Sequence, residues 1–173
     1  MVVGMNALWL APLFGPVDKS ILVLIPTAAL ASLLPDIDAS AAKIHFVGGG
    51  FLGIFRGIFF GKYFHHRGLT HSLFVTLLLL LIIRFFWGDA YPALPYVFAA
   101  SYFSHPLVDG LNSGVGYFYP FILKRYALVP KVLRTPVGGV IDNLLFFIAA
   151  LGIILFFIGF KDQFIPRAGQ WFN

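Results

Sequence analysis

Residues 69–87 read LTHSLFVTLLLLLIIRFFW and contain an apolar run from Leu73 to Ile83 that only Thr76 interrupts. A stretch of about 20 mostly apolar residues is long enough to cross the hydrocarbon core of a bilayer as a helix. Thr70 or Ser72 is placed to cap the start of such a helix. We therefore predict a membrane-spanning helix over residues 69–87.

Similar apolar stretches lie on both sides of this one, at residues 20–34, 92–111 and 139–160. The chain of 173 residues is 60% hydrophobic and only 11% charged, with a mean hydropathy of +0.90, whereas a soluble domain has about 25% charged residues. These values predict a single integral-membrane domain over residues 1–173. We expect an all-α, polytopic helical bundle of about four spans, with short re-entrant or interfacial helices at residues 2–14 and 51–64.

The composition also limits the kind of metal site that the chain can build. It contains no cysteine, and all seven acidic residues are aspartates. Thiolate metal sites, disulfides and the His-Glu-x-x-His pattern of zinc proteases are therefore excluded. A metal must be held by His and Asp, which suits zinc, manganese or iron better than calcium or magnesium. The net charge of +5 favours anionic lipid headgroups or phosphate as partners. Nucleic acid is a less favoured partner, because the sequence has no dense basic stripe with interleaved aromatic residues.

Most of the histidines lie with aspartates in three short segments, PDID (35–38), HHRGLTH (65–71) and HPLVD (105–109). Ionisable groups at membrane boundaries are costly to place, so they are candidates for function. If the four apolar stretches are threaded as successive spans, all three segments fall on one side of the bilayer. The cations of that side are Lys43, Arg56, Lys62, Arg67, Lys124, Arg125, Lys131 and Arg134, and those of the other side are Lys19, Arg84, Lys161 and Arg167. By the positive-inside rule, this excess predicts that the three segments face the cytoplasm.

The three segments offer six candidate metal ligands, namely Asp36, His65, His66, His71, His105 and Asp109. His105 and Asp109 are four residues apart and share a helix face. They bind one ion, or the carboxylate orients the imidazole, or the pair stabilises its helix. Asp36 and Asp38 repel each other unless a cation lies between them, and the alternative is a pair of solvated caps.

His66 and His71 flank a segment in which Gly68 allows the chain to fold back, so that both rings reach one point. His65 is able to replace His66, but adjacent residues on an irregular segment usually point apart. The alternative for any of these histidines is a hydrogen bond to a lipid headgroup.

Two arginines and one further aspartate accompany these candidates. Arg67 either binds a phosphate bidentately or anchors the chain at the interface. Arg134 and Asp142 are either a substrate-binding cation with a metal-binding or basic carboxylate, or a plain ion pair at a helix start, where the helix dipole favours a negative charge.

Three motifs, LLPDID (33–38), HRGLTHS (66–72) and SHPLVD (104–109), resemble in order and spacing the signatures of the bacterial and archaeal inner-membrane metal-dependent hydrolases. That family is distantly similar to zinc-dependent phospholipase C and to related single-strand nucleases. The resemblance covers roughly residues 20–160 and implies an all-helical membrane fold, a zinc-type hydrolytic site and a phosphoester or lipid substrate. It implies that the metal ligands are Asp36, His66, His71, His105 and Asp109.

The chain departs from this family at two points. Family members usually open with a Thr-His pair in the first helix, where this chain has Asn6 followed by Ala-Leu-Trp. Asp142 stands where the family has Glu and is one methylene shorter. These departures predict a smaller ligand set or an altered activity.

Together these observations predict a metal-dependent hydrolase in the inner, cytoplasmic membrane, with its site facing the cytoplasm. We expect one or more ions of zinc or a similar divalent transition metal, and a membrane lipid or another phosphate-containing molecule as substrate. Asp38 or Asp142 would act as the base, and Arg67 or Arg134 would stabilise the phosphate. The alternatives are a non-catalytic membrane assembly, lipid-binding or metal-handling module, and a metal-free lipid phosphatase with a histidine nucleophile.

Overall fold

The computed structural model describes residues 1–15, 20–38, 67–134 and 138–168. The α-helices in these ranges are α1 (Val2–Met5), α2 (Ile21–Ala31), α3 (Leu73–Trp87), α4 (Leu94–Asn112) and α5 (Val140–Ala168). Short 3-10 helices cover Asn6–Phe14, Leu34–Asp38, Leu69–His71 and Lys131–Leu133. The described ranges contain no β-strand beyond one isolated bridge between Val115 and Tyr126. The all-α class is thus confirmed for the described part of the chain.

Each of the four predicted spans contains a helix, but the helices differ in length. Within the described ranges, Val140–Phe160 in α5 is the one segment that is long and apolar enough to cross a membrane. At about 1.5 Å per residue, the 11 residues of α2 and the 15 of α3 rise about 16 and 22 Å, less than the ~30 Å hydrocarbon core. The predicted interfacial helix at residues 51–64 lies outside the described residues.

The N-terminal residues 2–14 pack against the bundle along one face. They form α1 and the 3-10 helix Asn6–Phe14, which buries Ala7, Leu8 and Ala11. These side chains join a core in which Leu24 of α2, Val97 of α4 and Phe156 of α5 are almost completely buried. Because the side chains of this 3-10 helix lie in the same core as those of α2, α4 and α5, the helix is an integral part of the fold.

The central helix is α4, which packs against α1, α2, α3 and the 3-10 helix Asn6–Phe14. Its approach to α1 is close, because a Cβ atom on Gly4 would lie 2.5 Å from Ser32 Cβ and 3.0 Å from Ser104 Oγ. The Ser101 hydroxyl donates a hydrogen bond of 2.7 Å to the Gly4 carbonyl. Glycine at position 4 therefore lets α1 press the end of α2 towards the C-terminal half of α4.

The start of α3 is fixed by a side-chain cap and by the loop that follows α4. The Ser72 hydroxyl accepts a hydrogen bond of 3.2 Å from the Val75 N–H, which confirms Ser72 rather than Thr70 as the helix cap. The Leu73 N–H donates to the Tyr117 carbonyl over 2.9 Å, and the Tyr117 hydroxyl donates to the Pro106 carbonyl over 2.8 Å. The loop thereby ties the first turn of α3 to the last turns of α4.

Candidate metal centre

The candidate ligands come from three segments that are far apart in sequence, and all three segments lie at the same corner of the bundle. Asp36 lies in the 3-10 helix directly after α2. His71 is the last residue of the 3-10 helix that precedes α3. His105 and Asp109 lie one helical turn apart near the end of α4. Because α2 and α4 end at this corner and α3 begins there, residues that are far apart in sequence come to one point.

Four side-chain atoms converge at this corner. Asp36 Oδ1 lies 3.2 Å from His105 Nε2 and 3.8 Å from His71 Nε2. Asp109 Oδ2 lies 3.4 Å from His71 Nε2 and 4.0 Å from His105 Nε2. The ligand atoms of Asp36, His71 and His105 all lie within 4.8 Å of one another, and the two imidazole rings are 5.4 Å apart, at 75° to each other.

These separations fit a tetrahedral ion. Ligand atoms at about 2.0–2.1 Å from a zinc ion are roughly 3.3–3.4 Å from one another in a tetrahedron. The separations of 3.2 and 3.4 Å are close to that edge, and those of 3.8 and 4.0 Å are longer, so the four side chains would have to close slightly around an ion. Two imidazoles and two carboxylates are also a donor set that suits zinc and its neighbours in the first transition row.

The far nitrogen of each imidazole has an oxygen partner that orients the ring. His105 Nδ1 lies 2.8 Å from the Ser32 carbonyl, and because a carbonyl only accepts, Nδ1 carries the proton and donates it. His71 Nδ1 lies 3.0 Å from the Thr70 hydroxyl, whose backbone carbonyl accepts a hydrogen bond from the Tyr102 hydroxyl. Partners of this kind are common behind histidines that bind metals through Nε2.

Burial and charge act against each other at this corner. His71 is completely buried, whereas Asp36 is partly exposed. Burial alone would raise the pKa of the Asp36 carboxyl, but the hydrogen bond from His105 and the charges of His105 and His71 outweigh it. The pKa of Asp36 is therefore lowered from its ordinary value, so the carboxylate is ionised and able to attract a cation.

Arg67 is engaged with Asp109. Its Nε lies 2.8 Å from Asp109 Oδ2, a second guanidinium nitrogen lies 3.3 Å from Oδ1, and the third donates to the Ser113 hydroxyl. The φ angle of Arg67 is +64°, a left-handed conformation that is uncommon outside glycine and that often occurs at functional sites. The sharp turn expected at Gly68 is therefore made at Arg67, and a phosphate contact of Arg67 stays a prediction.

The other predicted residues lie away from the cluster or outside the described residues. His65 and His66 are outside the described residues, and so is the side chain of Asp38, whose backbone lies in Leu34–Asp38. The Asp142 carboxylate accepts hydrogen bonds from the Asn112 amide over 3.2 Å and from the Gly138 N–H over 2.8 Å.

Arg134 is exposed and donates to the Val129 carbonyl over 3.2 Å. In the part of the chain that the structure describes, no ion pair joins Arg134 to Asp142. Their predicted catalytic roles are untested, and so is that of Asp38.

Several residues of this corner were missed by the sequence analysis. The Ser32 carbonyl and the Tyr102 hydroxyl give no signal in the sequence, because a backbone acceptor has no side-chain signature and a lone tyrosine on an aromatic helix is common. Thr70 was considered only as a helix cap, although its place next to His71 could have indicated a partner for that ring. Asn6, which stands where a histidine was expected, donates to the Ala149 carbonyl of α5 over 2.9 Å, away from the cluster.

A cavity of about 160 Å³ opens beside two of the candidate ligands. Its lining includes Ser104, His105 and Asp109 of α4 together with Gly4 of α1 and Ser32 at the end of α2. This volume admits several water molecules or a small polar group. The cavity gives the cluster a route to solvent that a closed structural metal site would lack.

Comparison with known proteins places the chain among inner membrane proteins. The model of the family described as YdjM inner membrane protein matches residues 1–165. Inner membrane protein YbcI of Escherichia coli (strain K12) is 31% identical over 112 residues, which are 61% of this chain and 58% of that relative. The chain thus spans a little over half the length of this curated relative.

No solved structure matches the chain. The matches confirm the expected inner-membrane family, whereas its assignment as a metal-dependent hydrolase stays a prediction. Because the family model covers almost the whole sequence, this chain belongs to the YdjM inner membrane protein family.

Proposed function

We propose that this protein is a metal-dependent hydrolase of the inner membrane, which acts on a phosphoester or a lipid-like ester. The single observation that carries this proposal is the convergence of Asp36, His71 and His105, whose ligand atoms all lie within 4.8 Å of one another, with Asp109 Oδ2 3.4 Å from His71 Nε2. Asp36 and Asp109 would supply negative charge to a divalent cation, although Arg67 compensates part of the charge of Asp109. Two imidazoles with their Nε2 atoms turned inward would complete the set, the ion taking the place of the Nε2 proton that His105 shares with Asp36.

The residues around the cluster have distinct tasks in this proposal. The Ser32 carbonyl and the Thr70 hydroxyl hold the imidazoles of His105 and His71 in position. Arg67 holds the carboxylate of Asp109 through its guanidinium. A bound zinc-type ion would lower the pKa of a water molecule and polarise the ester oxygen. Water and the ester group would enter through the cavity next to His105 and Asp109.

The proposal includes four spans, with the cluster at the cytoplasmic face. In support, Asp36 after α2, His71 before α3 and Asp109 near the end of α4 lie together, and Asn112 binds Asp142 in the first turn of α5. Four of the described helices thus have ends at one corner, as expected if they are spans that alternate in direction. The excess of Lys and Arg in the loops of that side supports a cytoplasmic position.

The test begins with the full-length protein, purified in detergent without added metal. Elemental analysis should find about one transition-metal ion per chain, as expected for a site with a nearly complete set of protein ligands. Hydrolysis is then measured with bis-p-nitrophenyl phosphate and with phosphatidylglycerol in mixed micelles. His105→Ala should lose both the metal and the hydrolysis. His45→Ala, a change of the same kind in the histidine that stands apart from the three segments, should keep both.

Each other outcome identifies a different function. Hydrolysis that survives complete removal of metal by a chelator would favour the metal-free phosphatase. Stoichiometric metal without turnover of either substrate would favour a metal-handling module, a result in keeping with Asn6 at the position where the resembling family has histidine. Protein that binds no metal and hydrolyses neither substrate would overturn the proposal.

A further inference from the structure

A second recess shares no lining residue with the cavity beside the candidate metal centre. It is an apolar groove of about 270 Å³ between α3 and the loop that follows α4. Leu73, Phe74 and Leu77 form one wall, and the loop residues from Tyr117 to Ile122 form the other. The rings of Phe74 and Phe121 meet edge to face at 5.5 Å and join the two walls. The volume is slightly below the roughly 300–1,000 Å³ of typical small-molecule sites, so the groove suits part of a chain-like apolar molecule.

A lysine lies near one wall of this groove, in a loop whose charged residues are all basic. Phe118 in the groove packs edge to face on Tyr126 at 5.5 Å, and Lys124 Nζ lies 5.5 Å from the centre of the Tyr126 ring. Residues 113–134 contain four cations, Lys124, Arg125, Lys131 and Arg134, and no acidic residue. An occupant that is apolar at one end and negatively charged at the other would match both the groove and this loop.

The surface around the groove points to the same occupant. Phe121, Leu123 and Val132 in the loop are strongly exposed, together with Phe74 and Leu77 on α3. A basic segment with exposed aromatic and aliphatic side chains is typical of a segment that lies among lipid headgroups. The family to which this chain belongs is an inner membrane family, so such a surface is supplied with lipid.

We propose that this groove binds one acyl chain of an anionic phospholipid, and that Lys124 near one of its walls contacts the phosphate. The groove is separate from the candidate metal centre, because its lining includes no candidate ligand and no residue of the cavity beside His105 and Asp109. The Tyr117 hydroxyl donates to Pro106 of α4 and its carbonyl accepts from Leu73. Burial and the charge of Asp109 raise the pKa of Tyr117 to about 12. The Tyr117 side chain in the groove lining therefore stays uncharged at neutral pH. The lipid site therefore does not depend on the proposed hydrolysis.

The experiment counts the phospholipids that stay on the full-length protein. The protein is reconstituted in nanodiscs of equal parts phosphatidylglycerol and phosphatidylcholine, released in the mass spectrometer, and its retained lipids are identified. Wild-type protein should retain phosphatidylglycerol in preference to phosphatidylcholine. Leu77→Trp fills the groove and should lower this retention roughly tenfold, the effect of withdrawing about two methylene groups from contact.

The two groove residues that are replaced by tryptophan, Leu77 and Ile122, each have a matched control nearby. Leu81 is one turn further along α3 and is 63% exposed, against 57% for Leu77, but it does not line the groove. Ile122 lines the groove, whereas Leu123 beside it does not. Leu81→Trp and Leu123→Trp should therefore retain lipid like wild type, and Ile122→Trp should behave like Leu77→Trp. Lys124→Gln should reduce the preference for phosphatidylglycerol, whereas Lys131→Gln should not.

Several results would overturn this site. They are equal retention of both lipids by the wild type, equal effects of the groove variants and their controls, and no retained lipid at all. A change of oligomeric state in Leu77→Trp and Ile122→Trp with unchanged lipid retention would instead assign the groove to a second copy of the chain.

Discussion

The two longest described helices, α4 and α5, differ in how much of their surface other helices cover. α4 packs against α1, α2, α3 and the 3-10 helix Asn6–Phe14, buries polar residues such as Ser101 and Tyr102 together with apolar ones such as Val97, and carries His105 and Asp109 near its end. Within Val140–Phe160, α5 packs through Ala149 and Phe156 against the N-terminal helices. Its exposed large side chains are Val140, Ile141, Leu144, Phe146, Phe147, Ile148, Leu151, Ile154, Leu155 and Ile158.

This difference shows what each helix needs from its surroundings. Polar groups on α4 are tolerated because neighbouring helices supply their partners, as buried polar groups require. The apolar face of α5 has no such cover from the described residues, and an exposed apolar surface of this extent marks a contact with lipid or with another protein. The candidate metal centre therefore depends on contacts within the described part of the protein, whereas the outer face of α5 depends on a partner outside it, lipid or protein.

The largest expected effect is at the candidate metal centre. Asp36→Asn keeps the shape of the side chain but removes the charge that faces His71 and His105. We expect zinc affinity to fall at least about 100-fold, since loss of an outer partner alone costs roughly 10–100-fold. The measurement is a titration against a competing chelator.

The control for this change is Asp89→Asn, which alters a fully exposed aspartate paired with Arg84 at the other end of α3. It should bind zinc like wild type. Equal affinities of the Asp36 variant and wild type would show that the four converging atoms do not hold a metal.

The second effect tests the other half of the comparison. Leu151 lies near the middle of Val140–Phe160 and is exposed. In a bilayer, a lysine at the centre of a helix costs about 2.5–3.5 kcal/mol on insertion scales, whereas at a water-exposed position it would cost very little. Leu151→Lys should therefore lower the membrane-inserted fraction of the protein in a glycosylation-reporter assay.

Leu151→Ala is the matched control, because it removes the same side chain without adding charge. It should insert nearly as well as wild type. If the lysine variant inserts equally well, the outer face of α5 does not contact lipid and the contrast with α4 is lost.

The sequence predicted the ends of these helices better than their interior contacts. When the apolar stretches are threaded as successive helices, the chain reverses direction at each connection. The sequence therefore predicts that Asp36, His71, His105 and Asp109 lie at the same end of the bundle. The pairing of Arg67 with Asp109 was not foreseen, because it depends on the left-handed backbone at Arg67. The Ser32 carbonyl behind His105 was also missed, since it is placed by the close approach that Gly4 permits.

The third effect concerns the partner behind His71. Thr70→Val removes the hydroxyl next to His71 Nδ1 but keeps the size of the side chain. Loss of such a partner lowers metal affinity about 10–100-fold, so zinc should bind more weakly than in wild type but more tightly than in Asp36→Asn.

Thr76→Val is the matched control for this change. Thr76 is buried to nearly the same degree as Thr70, and its hydroxyl donates to the Ser72 carbonyl one turn into α3. Its substitution should leave the zinc affinity unchanged. A similar loss of affinity in both variants would mean that any buried hydroxyl at or near the start of α3 affects the site through packing alone.

The smallest effect separates the stability of α3 from the chemistry at its start. Ser72→Ala removes the oxygen that accepts the Val75 N–H, and loss of such a cap typically costs about 1 kcal/mol. The free energy of unfolding in detergent should fall by roughly that amount. Ser104→Ala, which removes a hydroxyl bonded within α4 to the Ser101 carbonyl, leaves no helix N–H without its acceptor and should cost less.

Zinc affinity should stay near the wild-type value in Ser72→Ala, because the His71 ring is held by Thr70 and not by the cap. A loss of zinc affinity in Ser72→Ala as large as in Thr70→Val would show that the position of His71 depends on the folding of α3 as a whole. The candidate metal centre would then be no more independent of its surroundings than the outer face of α5.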